Sequence, residues 1–112
     1  MEYSIEYKYE KLLKARYFLA VSRKSLRERI EEAYSQFWIL KENEFEAEGK
    51  VIRSKIEHLL TKNKAEVGYI IPHNIRHMRL ARAEEIAALI LELYDIVANE
   101  YATKKAKSKE RT

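Results

Sequence analysis

The sequence predicts an all-α fold, an antiparallel bundle of about four helices with a long C-terminal helix. Three observations carry that expectation. Apolar residues recur at three- and four-residue spacing through most of the chain. Only two glycines and one proline punctuate its 112 residues, too few for a series of strands and tight turns. Helices of unequal length joined by short links favour antiparallel neighbours. A chain of this length suits one compact domain, expected over residues 1–103, with 104–112 as a basic, flexible tail.

The first helix is expected from about Ser4 to Val21, with Ser4 as N-cap. Its apolar face is Ile5, Tyr9, Leu12, Leu13, Leu19 and Ala20. Arg16 falls within that face, where it would bury its stem and reach out to an acid such as Glu44. "SLRE", Ser25 to Glu28, is a capping box that opens the second helix. The seam Leu26, Ile30, Ala33, Phe37, Leu40 follows the spacing of packed helices, and Gly49 is expected to end the element as a C′ residue. Trp38 and Ile39 lie off the seam and suggest an interface.

A third, short helix is expected from about Lys50 to Lys62, with Val51, Ile52, Ile56, Leu59 and Leu60 inward. "TKNKAEVGYIIP" is the only sizeable connection, bent at Gly68 and Pro72. The fourth helix should start near Pro72 or Asn74 and run to about Thr103, with a kink near Arg82. Its apolar stripe is Ile86, Ile90, Leu93, Val97 and Tyr101, and Arg79 and Arg82 continue it backwards, with Arg76 alongside. That continuation predicts first turns that overhang the bundle and have no core to face.

Charge is blocked along the chain. Residues 50–82 carry eight bases against two acids, residues 83–102 five acids and no base, and residues 103–112 five bases and one acid. Charged residues reach 36% of the chain, a bias shared with proteins from hot environments. No cysteine is present, so a disulfide framework and thiolate chemistry are excluded. The longest apolar run, Ile86 to Leu91, is far short of a membrane span. The polar N-terminus has no signal-peptide core, so a cytoplasmic protein without membrane contact is expected.

Lys50, Arg53, Lys55, Lys62, Lys64, His73, Arg76, Arg79 and Arg82, joined by Lys104, Lys105 and Lys107 of the tail, form the candidate nucleic-acid surface. Arginine forks suit phosphate, and the pattern fits backbone contact to RNA or DNA without base reading. The competing reading pairs Arg76–Arg82 with the acids of the second helix. His73 and His77 stand four apart, as in zinc helices, but Asn74 occupies the place of the usual glutamate. No metal and no cofactor is expected. A homodimer, or a subunit of a larger assembly, is the expected state, and a purely structural self-assembling protein is a further possibility.

"RSKIEH", Arg53 to His58, has the form R-x4-H. With "ARYFLAVSRKSLRERIEEAYSQFW", whose "EEAYSQFW" echoes an aromatic segment on an early helix, it resembles the HEPN superfamily of small helical domains over most of residues 4–102. The resemblance implies either a non-catalytic RNA-binding domain or a metal-independent ribonuclease acting across a dimer cleft. In the second case Arg53 would stabilise the transferring phosphate and His58 would serve as acid or base. Read from the residues alone, the pair are two solvated side chains flanking Ile56 and Leu59. With no phosphate loop and no nucleophile signature, the sequence leans away from an enzyme.

Overall fold

The computed structural model describes residues 2–61 and 70–110, with the side chains of 70–73, 109 and 110 outside the description. The fold is all-α. Five α-helices and one short 3-10 helix occur among the described residues: α1 Ile5–Val21, α2 Leu26–Phe37, the 3-10 turn Glu42–Glu44, α3 Ala47–Thr61, α4 Ile70–His77 and α5 Leu80–Glu110. None of these helices is long and apolar enough to cross a membrane.

Local sequence sets the starts. The Ser4 hydroxyl accepts from the Tyr7 amide at 3.1 Å, and the Ser25 hydroxyl accepts from the Glu28 amide at 3.3 Å while donating to the Glu28 carboxylate at 3.0 Å. Each cap satisfies an amide that the first turn leaves without a partner.

Helix ends are closed from further away. The Arg29 guanidinium donates to the Leu19 carbonyl at 2.7 Å and to the Lys24 carbonyl at 3.1 Å. Arg53 donates to the Leu40 carbonyl at 2.7 Å, Asn74 to the Leu60 carbonyl at 2.7 Å, and Arg27 to the Met78 carbonyl at 2.9 Å. In a chain so poor in glycine, side chains replace the left-handed C-cap as partners for terminal carbonyls.

α1 packs on α2 and α5, α3 packs on α5, and α4 bridges α2 and α3. The core gathers Leu12, Ala15, Ile30, Ala33, Phe37, Leu40, Ile56, Leu60, Ile86, Ile90, Leu93 and Val97, all fully buried. The seam expected on α2 is in place, although its helix stops at Phe37 and the chain delivers Leu40 from the following turn.

Several expectations are corrected. Gly49 does not end α2; it lies buried in the first turn of α3. A Cβ there would stand 3.3 Å from the Phe45 Cβ and 3.6 Å from the Ile96 Cγ2, so the glycine permits α3 to approach its neighbours. Val51, Leu13 and Ala20, expected inward, are exposed. Arg16 reaches the Tyr94 ring at 5.2 Å rather than Glu44. Glu44 accepts instead from the Tyr3 amide.

The expected fourth helix is two. The chain bends at Met78 and Arg79, and α4 folds back with Ile75 and Met78 buried, 1% and 3% exposed. The overhang is therefore absent. The core stripe of α5 ends at Ala83, and the apolar face passes to α4. The arginines prolong the stripe in projection only, because the helix that would carry them on is broken. At the other end, residues 104–110 continue as the last turns of α5. Gly68, Lys62 and Lys64 lie outside the described residues, as does the side chain of His73.

Candidate nucleic-acid interface

The elbow between α4 and α5 is assembled from three short pieces of chain. Ile75 and Met78 hold α4 against the bundle, which turns Arg76 and Arg79 outward. Arg27, on the first turn of α2, fastens the bend through the Met78 carbonyl. Ser25, Arg27, Glu28, Glu31 and Arg76 line a cleft of about 400 Å³ between α2 and α4.

The charges there are lightly engaged. Arg76 stands 3.6 Å from Glu31, its side chain 68% exposed. A pair so open is worth little in water. Arg79 is exposed, Arg82 half-buried, and neither makes an ion pair among the described residues. The N-termini of α2 and α5 and the C-terminus of α4 lie at this elbow, so positive and negative ends of helix dipoles meet there. Glu28 and Glu31 set negative charge on one wall, and Lys24 is drawn to Glu32 at 2.9 Å. The hydrogen bond and charge of Glu32 raise the Lys24 ammonium above its ordinary value.

Arg53 is placed differently. Its side chain is 1% exposed. Besides Leu40 it donates to the Glu57 carboxylate at 2.9 Å and to the Trp38 carbonyl at 3.4 Å. The rings of Tyr34 and Phe37 lie 5.6 and 5.4 Å from the guanidinium. Burial and the nearby Glu57 push the Tyr34 phenol up to about 12, against the opposing pull of Arg53. Burial acts to raise the Glu57 carboxyl, but its hydrogen bond and charge contact with Arg53 outweigh it and leave it below the ordinary value. Arg53 is thus withdrawn from the candidate surface, since its donors are committed inside the fold.

His58 is exposed on α3 and borders a groove of about 430 Å³ with Lys41, Glu42, Ser54, Glu57 and Thr61. Lys50 and Lys55 are exposed on the same helix. Lys104 borders a polar cleft with Glu2, Glu44, Glu46 and Glu100. Lys105 lies 5.0 Å over the Tyr101 ring, and Lys107 is exposed.

The structure thereby separates what the sequence grouped. Arg82 and Lys104 stand 22 residues apart on one helix, about 33 Å at 1.5 Å per residue. Elbow arginines and tail lysines form two surfaces at opposite ends of α5. Trp38 and Ile39 are exposed, at 51% and 37%, with Lys41 5.6 Å over the indole. Arg27 was not among the expected site residues, and its partner lies 51 positions away, beyond the reach of any local spacing rule.

No family model, curated protein or solved structure matches the chain.

Proposed function

We propose that this protein binds nucleic acid through phosphate contacts at the α4–α5 elbow, with Arg76, Arg79 and Arg82 as the principal donors. One observation carries the reading: three arginines lie around the α4–α5 bend, exposed or half-buried, and the bundle makes almost no use of their charge. Guanidinium forks suit the oxygens of a phosphate backbone. Contacts of this kind do not read bases, so affinity should depend steeply on salt and weakly on sequence.

The test is binding of labelled RNA and DNA across a salt series. Replacing Arg76, Arg79 and Arg82 with Gln should lower the slope of log K against log salt by up to about three units, near one per lost contact. An unchanged slope overturns the reading.

A second reading, a metal-independent ribonuclease of the HEPN kind, draws support from the groove that sets His58 beside Lys41, Ser54 and Arg53. The burial of Arg53 weighs against it, because a phosphate could reach that guanidinium only if Glu57 and the Leu40 carbonyl released it. Cleavage scored on the same samples decides: His58→Ala should abolish it under this reading, and cleavage that persists after repurification removes it.

A further inference from the structure

Exposed apolar side chains are not scattered evenly over the bundle. Leu13, Tyr17 and Val21 recur every four residues on one side of α1, and Tyr17 and Val21 leave 62% and 53% of their surfaces in solvent. Leu80, the first residue of α5, is 52% exposed. A row of this kind marks a surface that meets something else.

The row runs into the elbow. Tyr9 stacks on Tyr101 at 4.4 Å, and Arg16, two turns further along α1, lies 5.2 Å from the ring of Tyr94, two turns earlier on α5. The two helices are therefore antiparallel, and α1 ends towards the start of α5. Leu13 and Tyr17 stand at helical spacing from Tyr9 and Arg16, on the flank of α1 that borders α5. Four residues after Val21 comes Ser25, which lines the elbow cleft with Arg76. Leu80 lies between Arg79 and Arg82 in the chain. Tyr17, Val21 and Leu80 thus adjoin the arginines.

A duplex offers such a row little to cover, because its bases are paired and stacked on one another and its outer surface is phosphate and sugar. An unpaired strand carries both complements at once: phosphates for the guanidinium forks and flat base faces for a ring. We infer that the nucleic acid bound at the elbow is single-stranded, with an unpaired base stacked on Tyr17 and its neighbours against Val21 and Leu80. The inference rests on the elbow reading and adds the substrate class to it. From residue 83 to 102 α5 carries acids and no base, so the strand crosses the elbow instead of following α5. Every base has a π-face, and the weak dependence on sequence expected of phosphate contacts is kept. A single file of apolar side chains beside arginines suits a file of bases better than the broad apolar face that a bilayer takes up.

The test compares a labelled mixed-sequence strand of about 12 nucleotides, within the range of single-strand sites, with the same strand annealed to its complement. At equal salt the wild type should bind the strand about tenfold more tightly than the duplex, as one stacked base allows. Tyr17→Ala should weaken strand binding by about tenfold, with duplex binding unchanged. Its salt slope should stay that of the wild type, since a stacked ring releases no counterion. Tyr17→Phe keeps the ring and should keep the affinity. Tyr17 is mostly in solvent, and equal melting temperatures would show that both variants are folded. Equal affinity for strand and duplex overturns the inference, as does a Tyr17→Ala protein that binds the strand like the wild type. In either case a salt slope that still falls when Arg76, Arg79 and Arg82 become Gln leaves the elbow reading standing; a slope that does not fall removes both. Phosphatidylserine vesicles that displace the strand from the wild type, and bind Tyr17→Ala weakly, also overturn the inference and assign the row to a membrane surface.

Discussion

Arg53 and Arg76 belong to the same basic block of the sequence, yet the fold uses them in opposite ways. Arg53 is sealed beneath the end of α2, where two backbone carbonyls, a carboxylate and two aromatic rings surround it. Arg76 projects from the elbow with one loose partner. The difference follows from what the backbone needs at each place. α2 stops at Phe37 without a glycine, so the carbonyls of Trp38 and Leu40 need a donor, and a long cation can supply several from a distance. At the elbow Arg27 already holds the Met78 carbonyl, which leaves the arginines of α4 and α5 with no structural duty. Formal charge does not distinguish the two sites. Demand for donors does.

The sharpest test of this contrast is Arg53→Met, which keeps the volume and removes the donors. It should cost about 3 kcal/mol or more, because two backbone carbonyls lose their donor and Glu57 keeps only the Tyr34 hydroxyl. Denaturant unfolding followed by circular dichroism measures it. A loss under about 1 kcal/mol would place Arg53 with the elbow arginines as dispensable to the fold.

Asn74→Ala should come next, at roughly 1–3 kcal/mol, since the buried Leu60 carbonyl would lose its side-chain donor. Loss of that contact should also loosen α4, read as faster amide exchange over residues 74–78.

A smaller effect is expected at alkaline pH. Tyr34 titrates near 12 in the fold and near 10 unfolded, so folding favours its neutral hydroxyl. That contribution is complete below about pH 10 and disappears as the pH rises from 10 towards 12. Solvent screening holds it to the order of 1 kcal/mol. Tyr34→Phe should unfold with a flatter pH dependence in that window; an identical profile would mean the phenol has no part in the Arg53 cluster.

The smallest effect belongs to the elbow. Converting Arg76, Arg79 and Arg82 to Gln should change stability by less than about 1 kcal/mol, as exposed pairs do, even as the salt slope of binding falls. A large destabilisation would show that the elbow arginines hold the bundle as Arg53 does.

Much of the fold was legible because its causes are local. Ser4 and Ser25 announced their helices by residue type, and the α2 seam and the stripe from Ile86 to Val97 declared themselves by spacing. Where the expectation failed, a distant residue had decided. Gly49 carries the same local signal whether it ends a helix or admits a neighbour, and only Phe45 and Ile96 settle which. Arg53 and His58 form a recognisable spacing, but nothing in the spacing records that one points into α2 and the other into solvent. The candidate site was legible in composition alone: the arginines were named, while Arg27 and the separation of elbow from tail were not.

By itself, then, the sequence determined the helical class, the N-terminal caps, most of the core faces and the alternation of charge blocks, all properties of residues within a few turns of one another. The tertiary structure decided where the last helix breaks, which carbonyls need a donor, and which cations are left over to meet something else. Those outcomes depend on α2, α3 and α4 arriving at one place together. A side chain's burial is a property of what surrounds it, and the surroundings of Arg53 are drawn from positions 34 to 57, joined in space only after the chain has folded.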